Sequence, residues 1–447
     1  MEAETYLSSG YGIRTAIESR PEGWKKFSEL ARVWQPSRLK GIQVPREYGT
    51  PFLAATQVFD VRPVPRKWLS LDRTDDAANR FVRAGMIFVT CSGSVGHPTL
   101  AYAPHEKILI SHDLLRIEPI DERDAGWIYG YLHAPQTRAM AVGAHYGHII
   151  KHLEPSHVEA LPIPMVNDKT AEAFNRRVER ILELRNEGYR LTLEAESRFD
   201  SALGSIRIKD WGEQGFAVRA SDAFLSGRRR MDATIHNPGV SAIRRHLAKR
   251  GQGVTAISAA GYEVWLPTRF RRIPAEDGVA LFESAALTEV NPETTKRISD
   301  GHFGDPNRGR VEPGWILMAR SGQAYGILGS VVLTANDLEG KVISDDVMRI
   351  RPRQEATIRP GYLTIALSHP LFGRPLVKAL AYGSSIPHID VSDVLSHEVV
   401  RLPEAEESKI ATLAEASAKA RAGADLLERE MAVDAWRIVE AFIKSIP

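Results

Sequence analysis

Three groups of side chains in this 447-residue sequence have the types and spacing to do chemistry. His145, His148, His152 and His157 gather imidazoles, common ligands of transition metals, within one short stretch. No cysteine accompanies them and their spacing is irregular, so they read as polar turn and helix-start residues, not as a metal site. Glu339, Gly340 and Lys341 form the Glu-x-Lys of restriction nucleases, but no Pro-Asp pair precedes them. The third group is GWILMARSGQAYG (314–326), an apolar run that ends in a turn of small and polar residues led by Arg320. Such a turn can present backbone N–H groups to an anion. A nucleotide loop needs Lys and then Ser or Thr after its last glycine, and Gly326 is followed by Ile327 and Leu328. Catalysis, a resident cofactor and a metal are therefore not expected.

The turn occurs twice, since GMIFVTCSGSVG fills 85–96. At one constant offset, with no gap, Gly49, Val61, Pro63, Gly85, Ser92 and Gly93 fall on Gly278, Val290, Pro292, Gly314, Ser321 and Gly322. The offset then lengthens slightly, which lays ILISHDLLRIEP (108–119) over KVISDDVMRIRP (341–352), with Asp113 on Asp346 and Arg116 on Arg349. Tyr146, Gly147 and His152 match Tyr382, Gly383 and His388, and each copy closes on Leu-Pro.

A segment with helical periodicity follows each copy, at 168–203 and at 404–447. In the second, Ile410, Leu413, Ala420, Ala424, Leu427, Met431 and Ile438 follow one three-four alternation, interrupted by Ser417 and Asp434. The first offers Phe174, Val178, Ile181 and Tyr189 beside the small Gly188. Two such helices at equivalent ends of two repeats predict pairing with each other. The expected fold class is α+β, with globular segments at 1–166 and 206–403 and long helices in 167–205 and 404–447.

The formal net charge of +2 divides unevenly. Residues 168–203 carry 7 basic and 8 acidic side chains and residues 404–447 carry 6 and 9, which leaves +6 on the remainder. The globular segments hold local concentrations such as Arg228–Arg230 and RFRR (269–272), as a polyanion partner requires. Cys91 is the single cysteine, which excludes a disulfide framework and fits a reducing cytoplasm. No apolar leader follows Met1 and no run approaches the roughly 18 apolar residues of a membrane helix, so the expectation is a soluble cytoplasmic protein.

ARSGQAYG (319–326), ISDDVMRIRP (343–352) and YGSSIPHIDVSDVLSHEVVRLP (382–403) resemble the target-recognition domains of Type I restriction-modification specificity (S) subunits. RRRMDATIHNP (228–238) is similar to the opening of the second such domain. With the duplicated layout, the resemblance covers essentially the whole chain. The first copy departs from it at Thr90 and Cys91, where the second has Ala319 and Arg320. The resemblance implies a non-catalytic subunit in which each recognition domain reads one half of a bipartite site on double-stranded DNA. It implies two long helices packed as an antiparallel coiled coil, setting the spacing and docking two methyltransferase subunits, with or without ATP-dependent restriction subunits. S-adenosylmethionine would sit on the methyltransferase partner. The outward helix faces around Arg176, Arg180, Glu406 and Arg429 are the expected docking surface. A helix of about 36 residues spans roughly 54 Å, enough to separate two readers by one or more turns of B-DNA.

The expected DNA contacts are Ser92 and Ser94 in the first turn, and Arg320, Ser321, Gln323 and Tyr325 in the second. Arg320 equally fits an ion pair within its own domain. Arg228, Arg229, Arg230, Arg269, Arg271 and Arg272 are expected to meet phosphate. Two other readings share these features: the same recognition architecture serving another phage-defence assembly, and a self-contained DNA-modifying enzyme. The latter lacks an Asn-Pro-Pro-aromatic motif, since Asn237-Pro238 is followed by Gly239.

Overall fold

Apolar runs of a few residues, bounded by Gly, Pro and charge, become short strands in this chain, and they build the same pair of sheets twice. The computed structural model describes residues 9–93, 95–144, 152–209, 211–212, 214–224, 230–294, 296–300, 309–323, 326–383 and 385–445. By internal contacts the chain divides into two units, residues 1–186 with 423–447, and residues 187–422.

In the first unit, β1 (Ala31–Trp34), β2 (Ile87–Thr90), β3 (Pro98–Leu100) and β4 (Leu114–Pro119) form an antiparallel sheet in the order β1-β4-β2-β3. In the second, β5 (Tyr262–Trp265), β6 (Ile316–Ala319), β7 (Val331–Leu333) and β8 (Val347–Pro352) repeat it as β5-β8-β6-β7. Ile87 lies opposite Leu100 and Ile117, while Ile316 lies opposite Leu333 and Ile350. Those partners are related by the same two offsets as the matched sequence, the shorter for Ile87 and the longer for Leu100 and Ile117. A three-stranded sheet accompanies each: Thr50–Leu53 pairs antiparallel with Lys67–Leu69 and parallel with Leu109–Ile110, and Pro274–Phe282 pairs likewise with Arg297–Ile298 and Val342–Ile343.

One buried arginine in each copy joins the two sheets. Arg116 Nη1 donates to the carbonyls of Ser111 (2.9 Å) and Leu114, and its Nη2 donates to Ile110 (3.1 Å). Arg349 Nη1 donates to Ser344 (2.8 Å) and Val347, and its Nη2 to Ile343 (2.7 Å) and Gly309 (3.2 Å). Both side chains are fully buried. Burial pulls the guanidinium of Arg116 down to about 9 and that of Arg349 to about 10, so both stay charged at neutral pH.

The periodic segments form α1 (Asp168–Leu203) and α2 (Glu404–Lys444). Within the first unit Arg177 pairs with Asp434 at 2.7 Å and Arg185 with Glu428 at 2.5 Å. Within the second, Ser417 Oγ donates to the Gly188 carbonyl at 2.7 Å, and Arg198 lies 3.6 Å from Glu406. The partners on α2 fall in number as those on α1 rise, so in each unit the two helix segments run antiparallel. A Cβ on Gly188 would come within 3.3 Å of the Ser417 carbonyl, which is why a small residue stands there. Ile410, Ala424 and Met431 are buried as the three-four alternation predicts, but so are Ala411, Ala414, Ala418, Ala422 and Ala435. The apolar surface of α2 is wider than one seam because in each unit it also covers the globular core. A short helix of each repeat approaches its long helix through glycine: a Cβ on Gly126 would strike the backbone at Phe174–Asn175 of α1, and one on Gly361 the Ala411 carbonyl of α2.

In the connecting stretch 210–227, Ala220–Phe224 forms a short helix, and Asn237 then caps the helix Pro238–Arg250 through the N–H groups of Gly239 and Val240. No helix among the described residues is long and apolar enough to cross a membrane.

Candidate nucleic-acid interface

Each strand-end turn is clamped by the segment that closes its repeat. Ser92 forms a bridge with His152 and Ser321 with His388. Leu153 N donates to the Cys91 carbonyl at 2.8 Å, and Ile389 N donates to the Arg320 carbonyl at 3.1 Å. Tyr146 and Gly147, matched to Tyr382 and Gly383 in the sequence, lie outside the described residues.

The polar groups of the second turn are largely satisfied inside its own unit. Arg320 Nη1 lies 3.6 Å from Asp346, and its Nε donates to the Ile389 carbonyl at 3.4 Å, leaving the side chain 27% exposed. Of the two alternatives for Arg320, this geometry is the intradomain ion pair. Ser321 Oγ donates to Asp346 at 3.2 Å, whereas Gln323 is exposed. Tyr325 and, in the first turn, Ser94 lie outside the described residues. Cys91 holds the place of Arg320 in the first copy. It is fully buried, accepts from Gln35 Nε2 at 3.4 Å, and burial pushes its thiol up to about 11.

The arginines of the two clusters differ in their partners. Arg228 and Arg229 lie outside the described residues. Arg230, expected to meet phosphate, is an internal strut: it pairs with Asp232 at 2.6 Å, donates to the Leu380 and Ala381 carbonyls, and lies over the Tyr382 ring. Its side chain is only 10% exposed, so its charge faces inward and not toward an external phosphate. Arg272 is exposed but held by Asp345 at 2.6 Å and by Ser344 Oγ at 3.1 Å. Arg269 and Arg271 are exposed on either side of Phe270, which packs on the cluster of Leu281, Ile298 and Val342. No described residue forms an ion pair with either.

The register shows a further block of the repeat that the sequence comparison missed. WQPSRLKGI (34–42) corresponds to WLPTRFRRI (265–273), at an offset intermediate between the other two. Trp34 stands opposite Arg116 and Trp265 opposite Arg349. Ser70 N donates to the Ile42 carbonyl and Ser299 N to the Ile273 carbonyl, each at 2.9 Å. Leu39 packs on Phe52, Leu69 and Leu109 as Phe270 packs on its own sheet, and Arg38 and Lys40 flank it, both exposed. The signal was the pattern Trp-x-Pro, Ser or Thr, Arg, apolar, basic, x, Ile. An ungapped comparison passes over it because the next segment differs in length between the copies.

That next segment crosses an edge strand. Gln43 and Thr50 both pair with Leu69, and Pro274 and Val279 both pair with Ile298. Residues 44–49 and 275–278 therefore pass from one side of the strand to the other. Gly49 and Gly278 permit the close passage, since a Cβ would come within 2.6 Å of the Trp68 side chain or 2.2 Å of the Ile298 carbonyl. In the first copy this brings the Arg46 guanidinium over the Trp68 ring, 5.5 Å from its centroid, and leaves Tyr48 78% exposed.

The other expected groups fall as follows. Among the described residues no group of three or more His, Cys, Asp or Glu side chains is placed to hold a metal. His157 Nδ1 accepts from Glu154 N, while His145 and His148 lie outside the described residues. Glu339, Gly340 and Lys341 form an exposed turn in which Gly340 has a φ of 66°. On the long helices, Arg176 pairs with Glu172, Arg180 with Glu183 and Glu406 with Lys409, all near the surface. Arg429 lines a shallow groove with Arg177, Leu426, Val433 and Arg437.

No family model and no curated protein matches the sequence. Among solved structures, the chain is similar to the Type I restriction-modification S subunit from M. genitalium, at 13% identity over 94% of each chain with a TM-score of 0.35. It is similar to the HsdS subunit from Thermoanaerobacter tengcongensis at 13% identity, over 95% of this chain and 96% of that one, with a TM-score of 0.27. A chain from a structure of Type I restriction-modification complex assembly is similar at 12% identity, over 95% of this chain and 97% of that one, with a TM-score of 0.28.

Proposed function

We propose that this protein is the DNA-recognition subunit of a Type I restriction-modification complex, each repeat reading one half of an asymmetric, bipartite duplex site. The observation that carries this reading is the pair of repeats, alike in strand order and register and unlike in many of the side chains they expose. A duplicated scaffold with divergent surface chemistry suits two different short sequences read by one chain. The long helix after each repeat supports the second part of the reading, in which α1 and α2 form an antiparallel coiled coil that sets the distance between half-sites. In this reading the outward helix faces dock two methyltransferase subunits, which bring S-adenosylmethionine and the chemistry.

Selection of duplexes from a random-sequence pool by the full-length chain tests recognition directly. Two short sequence blocks separated by a gap of constant length are the expected product. Enrichment of a single contiguous block, or of none, would remove the bipartite reading.

A further inference from the structure

Comparison of the two repeats at equivalent surface positions separates what they share from what they do not. The shared part is a pair of exposed cations on either side of an apolar anchor: Arg38 and Lys40 around Leu39, Arg269 and Arg271 around Phe270. The anchor packs on the three-stranded sheet, so alternation along the extended chain turns both cations outward. No described residue forms an ion pair with any of the four. Keeping two charged groups of one sign this close without a counter-ion is unfavourable for the isolated chain, and a polyanion relieves it.

The unshared part lies beside it. The crossing segment of the first copy carries Arg46 stacked on Trp68, with Tyr48 standing out into solvent. In the second copy the crossing segment is shorter, Asp277 precedes its glycine as Tyr48 precedes Gly49, and at the second residue after the crossing Arg297, opposite Ala280, replaces Trp68, opposite Pro51. Arg297 is exposed, and no described residue forms an ion pair with it. A large aromatic left mostly in water among basic side chains marks a surface built for contact.

We infer that the two repeats divide DNA contact in the same way: Arg38 with Lys40, and Arg269 with Arg271, hold phosphates irrespective of sequence, whereas Arg46 and Tyr48 in the first repeat and Arg297 in the second read bases. The inference rests on the DNA-reading function proposed above. Groups that do the same work on any sequence are alike in both copies, because the phosphate backbone is the same at both half-sites. Groups that read bases differ, because the half-sites differ. The three-stranded sheet and its crossing segment, not only the strand-end turn, thereby become the reading surface.

The full-length chain and three variants, carried through selection on random duplexes and binding titrations at several salt concentrations, test the division. All the substituted side chains are exposed, and unchanged thermal unfolding would confirm intact folds. Arg38→Ala with Lys40→Ala is expected to weaken binding to all duplexes by a similar factor, to flatten the slope of log affinity against log salt by about 2, and to leave the selected motif unchanged. Arg46→Ala with Tyr48→Ala is expected to relax one half of the motif only, and Arg297→Ala the other half only. A motif untouched by the last two variants, or altered by the first, would overturn the inference while leaving DNA recognition in place. If the unmodified chain selects no motif, recognition itself fails.

Discussion

Arg116 and Arg349 show how a single side chain fixes the scaffold of each repeat. Each lies where the chain leaves the three-stranded sheet for the four-stranded one, and each gathers carbonyls at the same offsets along the sequence. Carbonyls buried in a turn have no water to bond, so removing their donor leaves several of them unsatisfied at once. Arg349→Met is therefore expected to lower stability by roughly 2–4 kcal/mol in denaturant unfolding. A loss below about 0.5 kcal/mol, the range of an ordinary surface substitution, would contradict this role. The sequence aligns the two arginines but does not show that they are buried, because their acceptors are main-chain carbonyls with no side-chain signature. Arg230 was obscured for a related reason: a run of three arginines looks basic until Asp232 and Asp393 are seen beside the last of them. For Arg320 both readings stayed open because its partner, Asp346, lies far along the sequence. Arg269 and Arg271, by contrast, sit where an alternating basic pattern puts them, facing out.

Helix length and apolar periodicity were legible in the sequence of α1 and α2, and the buried charge between them was not. Arg185 and Glu428 look like ordinary charged positions of a solvated helix face, yet both side chains are almost fully buried and 2.5 Å apart. His133 lies 3.5 Å from Glu428, and the Tyr129 hydroxyl donates to it. Burial alone would raise the Glu428 carboxyl, but Arg185, His133 and Tyr129 together outweigh it and hold the group at about 2. Glu428→Gln leaves the Arg185 guanidinium buried without its counter-charge, and a loss of about 3–5 kcal/mol is expected. The pH dependence has a definite sign. A carboxyl depressed on folding stabilises fully above its unfolded value of about 4.3, and this contribution is lost as pH falls toward the folded value. The native chain should lose stability between roughly pH 4.5 and pH 2 more steeply than Glu428→Gln does. Denaturant unfolding of both proteins across that range checks it, and parallel acid limbs would show that the pair contributes no such dependence.

The duplication defines the molecule as a whole. The two offsets of the sequence match reappear as strand register, so the α+β architecture of paired repeats was legible from matched glycines, prolines and polar residues alone. The WQPSRLKGI block escaped because residues 44–49 are answered by only 275–278, and a length change in a loop breaks an alignment without disturbing the sheet around it. Two copies of one scaffold that differ in exposed side chains are the observation behind the proposed recognition of an asymmetric, split DNA site. Two identical surfaces would read a repeated or symmetric sequence instead. The most direct test is a genome-wide map of methylated adenines in cells that carry this gene and in cells from which it alone is deleted. The account predicts a split motif, with two unlike halves at constant spacing, that disappears on deletion. An unchanged methylation map would contradict it.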